Sequence, residues 1–177
     1  MKLTLIIFVS ILWVGCLPHK SEPSDIVFEN TIESSYAWTD NKPSNVISYP
    51  QAHSGSYVCK IDASAPFSPT LFMRINQISD KKLSNVKFVA YIKKSNPGSD
   101  PKLVVEIHDK DNKNLEWIAE SATEGVSEEN DWIKVTKTVD LRVNHRNEKD
   151  NYLRIYVSNG ALVFCYVDDI QITFETE

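Results

Sequence analysis

Residues that could act as nucleophile, base or metal ligand occur in the chain, but their spacing matches no common catalytic arrangement. The four histidines, at positions 19, 53, 108 and 145, lie in separate segments without the spacing of a metal site. The chain has no Gly-x-Ser-x-Gly elbow, no His-Glu-x-x-His segment and no phosphate-binding loop. The sequence therefore predicts a non-catalytic protein, although cleavage of a glycosidic bond by two distant carboxylates stays open.

A second set of side chains could bind a ligand without transforming it. Aromatic rings stack on ring-shaped ligands, and neighbouring polar groups hydrogen-bond the ligand's hydroxyls. Alternation along the strands predicts several such side chains on outward faces, where they could together line a groove on one sheet: Arg74, Tyr91, Glu106, His108, Arg154 and Tyr156. An ordinary solvated strand face has the same composition and is the alternative.

Three tryptophans in the predicted domain have different expected roles. Trp132 heads an apolar strand and is predicted to be structural. Trp117 is a candidate ligand contact, although it shares a face with Leu115 and Ala119, a pattern that favours the core. Trp38 lies in a loop-like stretch and is a candidate lid over a ligand or a plug for the core.

A carboxylate is predicted inside the protein near the C-terminus. Alternation places Asp168 on the apolar face of its strand, between Tyr166 and Ile170, whereas Asp169 points away. A buried carboxylate needs a partner that compensates for lost hydration. That partner is either a cation or a set of backbone N–H groups from a neighbouring loop.

Short alternating runs recur along the chain and predict an all-β fold. Eight or so antiparallel strands, each with one apolar face, can bury those faces only in two packed sheets or a barrel. We predict a jelly-roll β-sandwich of two antiparallel sheets. The predicted strands are 26–29, 56–62, 71–78, 85–94, 102–108, 115–121, 132–141, 151–158 and 161–174, the last two joined as a hairpin through Asn159-Gly160.

Two cysteines lie in predicted strands of this domain. The alternation places Cys59 in the core and Cys165 on the opposite face of its strand. Because the two side chains face apart, we predict free thiols, although the oxidising compartment of an exported protein would allow them to form a disulfide.

The N-terminus predicts export. Lys2 precedes an apolar run from residue 3 to 14, too short to span a bilayer, so residues 1–15 read as a signal peptide. The residues Trp13-Val14-Gly15-Cys16 resemble a bacterial lipobox, which implies that Cys16 carries the lipid. The alternative is an ordinary secretory signal with an incidental cysteine. Residues 16–25, rich in proline and charge, then form a flexible tether, and residues 26–177 form one domain.

Composition excludes one class of partner. The chain is 42% hydrophobic and 24% charged, with a net charge of -5 and no basic run. Nucleic acid is therefore not an expected partner.

Several segments stand in an order that resembles a known family: Phe28-Glu29, Trp38, the run 52–57 of Ala-His-Ser-Gly-Ser-Tyr, Asp131-Trp132, and the run 166–170 of Tyr-Val-Asp-Asp-Ile. The chain is similar to the jelly-roll carbohydrate-binding modules of the galactose-binding-like superfamily, and to small lipoproteins of Bacteroidetes-type bacteria. The resemblance implies a structural calcium held by Glu29 and Asp168, with carbonyls around residues 54–56 completing the shell.

The resemblance also implies a function: a non-catalytic cell-envelope lipoprotein that binds a polysaccharide or oligosaccharide through a sheet groove or loop rim. An adhesion or assembly lipoprotein that contacts other envelope proteins is the alternative, and a small glycan hydrolase or lyase is a remoter one. The expected location is the bacterial outer membrane, on the periplasmic or the cell-surface side.

Overall fold

The computed structural model describes residues 25–33, 38, 45–122, 126–127, 131–161 and 163–177. The predicted signal peptide, Cys16 and the tether up to residue 24 lie outside these residues. Within them, eleven strands are found. Their bounds are β1 Ile26–Asn30, β2 Val46–Ser48, β3 Tyr57–Ile61, β4 Leu71–Arg74, β5 Leu83–Lys94, β6 Pro101–His108, β7 Asn114–Ser121, β8 Val126–Ser127, β9 Ile133–Asp140, β10 Tyr152–Asn159 and β11 Cys165–Thr176.

The strands form two antiparallel sheets. The seven-stranded sheet has the order β2-β3-β11-β5-β9-β8, with β1 paired to the C-terminal part of β11. The four-stranded sheet has the order β4-β10-β6-β7. The jelly-roll sandwich predicted from the alternating pattern is therefore confirmed.

The core lies between the two sheets because each strand contributes alternate apolar side chains to it. Phe88 of β5 and Phe174 of β11 are fully buried on the seven-stranded side, and Leu103 of β6 and Ile155 of β10 on the four-stranded side. Trp132, just before β9, is 1% exposed, which confirms its structural role. With the apolar side chains turned inward, the polar and aromatic side chains of β4, β6, β7 and β10 are left on the outer face.

A hairpin turn joins β6 to β7. β6 pairs with β7 from Lys102 opposite Ser121 to His108 opposite Asn114. In the turn, the Asp109 carboxylate accepts N–H bonds from Asp111 and Lys113, each at 2.9 Å. The side chain thus organises a hairpin turn.

The predicted terminal hairpin is wrong. Asn159 ends β10 in the four-stranded sheet, whereas Cys165 begins β11 in the seven-stranded sheet, so the two strands do not pair. The Asn159 carboxamide instead accepts the N–H of Ala161 and donates to the carbonyl of Val163. These bonds stabilise a crossover between the layers, which a local turn signal cannot distinguish from a hairpin.

The predicted strand 71–78 is also too long. β4 ends at Arg74, and a one-turn helix, α1 (Ile75–Ile78), follows. The side chains of Ile75 and Ile78 are both buried. A spacing of three residues puts both on one face of a helical turn, whereas in a strand they would point to opposite faces.

A bulge in β11 changes which of its residues face the core. The pairing of β11 with β5 shifts between Asp168 and Gln171, and Asp169 has a φ of 42°. Before the bulge the core face carries Cys165 and Val167, and after it Ile170. Asp168 therefore lies on the outer side of the sheet, not the apolar side as predicted, although it is fully buried there.

The same bulge corrects the prediction for the cysteines. Cys59 pairs with Val167 and Cys165 pairs with Ile61, so both thiols lie on the core face, both fully buried. They are free thiols, as predicted, but not because they face apart. Burial raises the pKa of Cys59 above its ordinary range and that of Cys165 to about 12.

Across the residues that the structure describes, no helix is long and apolar enough to cross a bilayer.

We expect Cys59 and Cys165 to resist alkylation in the native protein and to react only after unfolding, because each is buried and held as a neutral thiol. Mass spectrometry of alkylated peptides resolves each cysteine from Cys16. Modification of either residue under native conditions would contradict the packing described here.

Candidate functional site

Six of the eight predicted ligand contacts lie together on the outer face of the four-stranded sheet. The strand pairing places them in adjacent rows: Arg74 on β4, Arg154 and Tyr156 on β10, Glu106 and His108 on β6, and Trp117 on β7. Alternation within each strand identified five of them as outward residues, whereas for Trp117 it favoured the core. We call this surface the aromatic platform, and it also includes Phe67, Phe72 and Tyr152.

The other two predicted contacts lie elsewhere. Tyr91 is on β5 of the seven-stranded sheet, so the expectation of a single groove is wrong for this residue. There it stacks on the His53 ring, with centroids 3.7 Å apart. Trp38 is half-buried and packs against the hydrophobic core, which favours a plug over a lid.

One row of the aromatic platform runs across the strands. Arg154 pairs with Phe72 on one side and with Glu106 on the other, and Glu106 pairs with Trp117. The row crosses three strand spacings, about 14 Å in all. The row therefore runs across the sheet rather than along one strand.

Glu106 forms the polar centre of the aromatic platform. Its Oε1 accepts the hydroxyl hydrogen of Tyr156 at 2.7 Å, and its Oε2 lies 2.7 Å from Nε2 of His108 and 3.7 Å from Arg154. Burial by itself would raise the pKa of Glu106, but these hydrogen bonds and charges outweigh it and lower the pKa. Glu106 therefore stays an anion.

Tyr156 is fixed as a donor by the same contact. Burial and the hydrogen bond to Glu106 raise the pKa of Tyr156 to about 12, so its hydroxyl stays protonated near neutral pH. The phenol and the carboxylate together make a rigid, hydrogen-bonded floor.

Exposed aromatic rings flank this floor. Phe67 and Trp117 are each 53% exposed, and Phe72 is 42% exposed. Phe67 meets Tyr156 edge to face with centroids 5.2 Å apart. A groove of about 380 Å³ lies on the Phe67 side of the floor and is lined by Phe67, Thr70, Phe72, Glu106, Arg154 and Tyr156.

Sequence reasoning missed both phenylalanines and misjudged the tryptophan. Phe72 alternates with the inward-facing Leu71 and could have been assigned with Arg74. Phe67 lies in a proline-flanked segment without periodicity, and only its bridge to Ser158 places it beside β10. Trp117 was favoured as a core residue because its face of β7 carries Leu115, but that face is the outer one.

The predicted calcium ligands do not fit a cation. Oδ2 of Asp168 accepts the N–H groups of His53 at 3.0 Å and Ser54 at 3.1 Å, and Oδ1 accepts that of Asp169. Glu29 is exposed and its Oε1 accepts from Gln171. Among the described residues, no group of three or more His, Cys, Asp or Glu side chains could hold a metal. Backbone N–H donors are the second partner class foreseen for Asp168.

The Asp168 contacts fasten the 49–56 loop over the seven-stranded sheet. Next to them, Asp169 accepts from Ser54 Oγ at 2.7 Å and lies 2.6 Å from Nδ1 of His53. The serine and the histidine both contact Asp169 rather than each other, which is not the relay of a catalytic triad.

Comparisons with known proteins identify the fold. No protein-family model and no curated protein sequence matches the chain. Among solved structures, it is similar to the CBM22-2 xylan-binding domain of Paenibacillus barcinonensis Xyn10C, at 14% identity and a TM-score of 0.50, over 82% of this chain and 98% of that one. The CBM22-1 xylan-binding domain of the same enzyme is 19% identical over 75% of this chain and 80% of that one, with a TM-score of 0.49.

A third similar structure is the C-terminal family 22 carbohydrate-binding module of Clostridium thermocellum Xyn10B. It is 11% identical over 82% of this chain and 90% of that one, with a TM-score of 0.48. The similarity to the CBM22-2 domain, at a TM-score of 0.50, confirms the expected jelly-roll fold.

We expect the substitution Asp168→Asn to change how stability depends on pH. Burial, together with the charge of Asp169, raises the pKa of Asp168 to about 6 in spite of its N–H bonds. The folded state thus binds this proton more tightly than the unfolded chain, and stability contributed by Asp168 is lost as pH rises from about 4 to 7. Relative to the Asn variant, the wild type should lose about 2 kcal/mol over that range.

Chemical unfolding of both proteins at each pH measures this difference. A difference that stays constant, or that grows in favour of the wild type as pH rises, would contradict the proton assignment. Stabilisation of the wild type alone by added calcium would contradict the N–H assignment.

Proposed function

We propose that this protein is a non-catalytic, glycan-binding lipoprotein of the bacterial cell envelope, and that the aromatic platform holds the sugar chain. The main support for this proposal is that Phe67 and Trp117, each more than half exposed, lie on either side of the hydrogen-bonded floor of Glu106 and Tyr156. Exposed aromatics in a groove distinguish glycan binding from the adhesion alternative, which calls for a broad apolar patch.

The aromatic and polar groups have separate tasks in this proposal. The apolar faces of sugar rings stack on Phe67 and Trp117, while sugar hydroxyls exchange hydrogen bonds with Glu106, Tyr156 and Arg154. These polar side chains are already held by one another, so little conformational entropy is lost when the ligand binds. Hydroxyl desolvation offsets much of the stacking energy, and binding to a single sugar should be weak.

The length of the row supports an oligomeric ligand. About 14 Å separate the ends of a row that crosses four strands. A sugar chain laid across the strands would contact Phe67 or Phe72 at one end and Trp117 at the other. An internal segment of a polysaccharide can reach these positions because the groove lies on an open face.

The groove favours binding over cleavage. Its described lining contains one carboxylate, Glu106, whereas glycoside hydrolysis commonly uses a pair flanking the bond. The lowered pKa of Glu106 is also the reverse of what a general acid needs near neutral pH. Both observations support a non-catalytic role.

The similar solved structures support the same ligand class. Two of those compared are described as xylan-binding domains. The location is argued from the sequence: the export signal and Cys16 support a lipid anchor in the outer membrane, on a side left open. Other envelope proteins are further candidate partners.

We expect Trp117→Ala and Phe67→Ala each to weaken glycan binding about tenfold, because each removes one stacking surface. Stability should change little, since both rings are more than half exposed. A glycan array followed by titration with the best ligand measures both affinities on the full-length chain. Val27→Ala, an exposed apolar residue of β1 on the other sheet, is the matched control.

Two results would contradict this assignment. One is silence of the wild type across the array. The other is binding that the Val27 variant weakens as much as the Trp117 variant does.

A further inference from the structure

The aromatic platform carries two cations, Arg154 and Arg74, and one carboxylate, Glu106. Arg154 approaches Glu106 no closer than 3.7 Å, and that carboxylate is already bonded to Tyr156 and His108. Arg74 forms no salt bridge within the described part of the chain. Two arginines against one glutamate leave a small positive excess on this surface, although the whole chain has a net charge of -5.

Stacking holds both guanidinium groups in place. The guanidinium carbon of Arg154 lies 4.8 Å from the centre of the Phe72 ring, and that of Arg74 lies 4.8 Å from the centre of Tyr152. The two rings stack on each other, with centroids 5.0 Å apart at an angle of 16°. The four side chains form one continuous stack across β4 and β10.

Each guanidinium carbon lies over an aromatic ring. A guanidinium that contacts a ring through its flat face keeps its N–H groups in the plane, directed past the ring. Those N–H groups match the two oxygens of a carboxylate, and the pair is among the stronger hydrogen-bonded contacts in proteins. Both arginines are partly exposed, so a ligand on the platform can reach them.

We propose that the glycan bound by this protein is acidic, with carboxylates of uronic acid residues pairing with Arg154 and Arg74. The inference rests on the glycan-binding function proposed above and adds the chemical class of the ligand. Two cations on neighbouring strands, two residues apart along the ladder, suit a polymer in which acidic groups recur.

Two pairs of polysaccharides that differ only in charge test the proposal on the full-length chain. One pair is polygalacturonate and its methyl ester, and the other is glucuronoxylan and its carboxyl-reduced form. At least one acidic member should bind about tenfold more tightly than its neutral partner, with a preference that shrinks as salt increases.

The variants Arg154→Gln and Arg74→Gln should each reduce that preference. The control Lys87→Gln, which removes one positive charge from the seven-stranded sheet, should leave it intact. Arg154→Lys should recover only part of it, because lysine keeps the charge and loses the planar fork. Thermal unfolding of each variant checks its fold.

Equal binding of the acidic and neutral members would overturn the inference and leave the proposed function standing. Absence of binding to all four polymers would overturn the inference, and silence across the glycan array in addition would overturn the function. Binding of dextran sulfate as tight as that of the best uronate, with the same response to the variants, would show general polyanion attraction and also overturn carboxylate recognition.

Discussion

The arrangement of the outer face of the four-stranded sheet depends on one buried carboxylate, that of Glu106, whose lost hydration is replaced by contacts with neighbouring side chains. Glu106 is only 9% exposed, although it points to the solvent side of its strand. An ion so sheltered needs compensation: the Arg154 cation lies 3.7 Å away, and two side chains, Tyr156 and His108, donate hydrogen bonds to the carboxylate. Each partner is in turn held by Glu106, so the hydrogen-bond direction of the floor is fixed before any ligand arrives. Loss of the carboxylate would leave the buried hydroxyl of Tyr156 without its acceptor.

Rigid packing beneath the platform makes that arrangement possible. The same strands that present Glu106 and Arg154 outward bury Val105 and Ile155 in the core, fully shielded from solvent. Strand pairing then sets the spacing of the outer side chains. The contacts between the arginines and the aromatic rings restrain long side chains that would otherwise rotate freely in solvent. A sugar chain bound here, as proposed, would meet a surface that is already ordered, so the entropic cost of ordering would fall mainly on the ligand.

Alternation in the sequence predicted most of this face, because the side chain direction of a strand residue follows from its position alone. It identified Arg74, Glu106, His108, Arg154 and Tyr156 as outward residues, and the structure brings them together. It could not assign strands to sheets, so Tyr91 was grouped with them although β5 lies in the other layer. Strict alternation of side chains also fails at a bulge. The extra residue at Asp168 and Asp169 shifts the pattern, so Cys165 lies on the core face and not on the opposite face as predicted. The position of Phe67 could not be predicted from the sequence because it depends on a tertiary contact with β10.

The proposed function requires a sugar chain to bind across the outer face of the four-stranded sheet. Nuclear magnetic resonance mapping of the ¹⁵N-labelled chain during titration with the best-binding oligosaccharide tests it most directly, because it reports every backbone amide and the indole N–H of Trp117 at once. We expect the perturbed signals to cluster on β4, β10, β6 and β7 and to include that indole. Perturbations centred on Tyr91 and the other outward residues of the seven-stranded sheet, with the Trp117 signal unmoved, would contradict it.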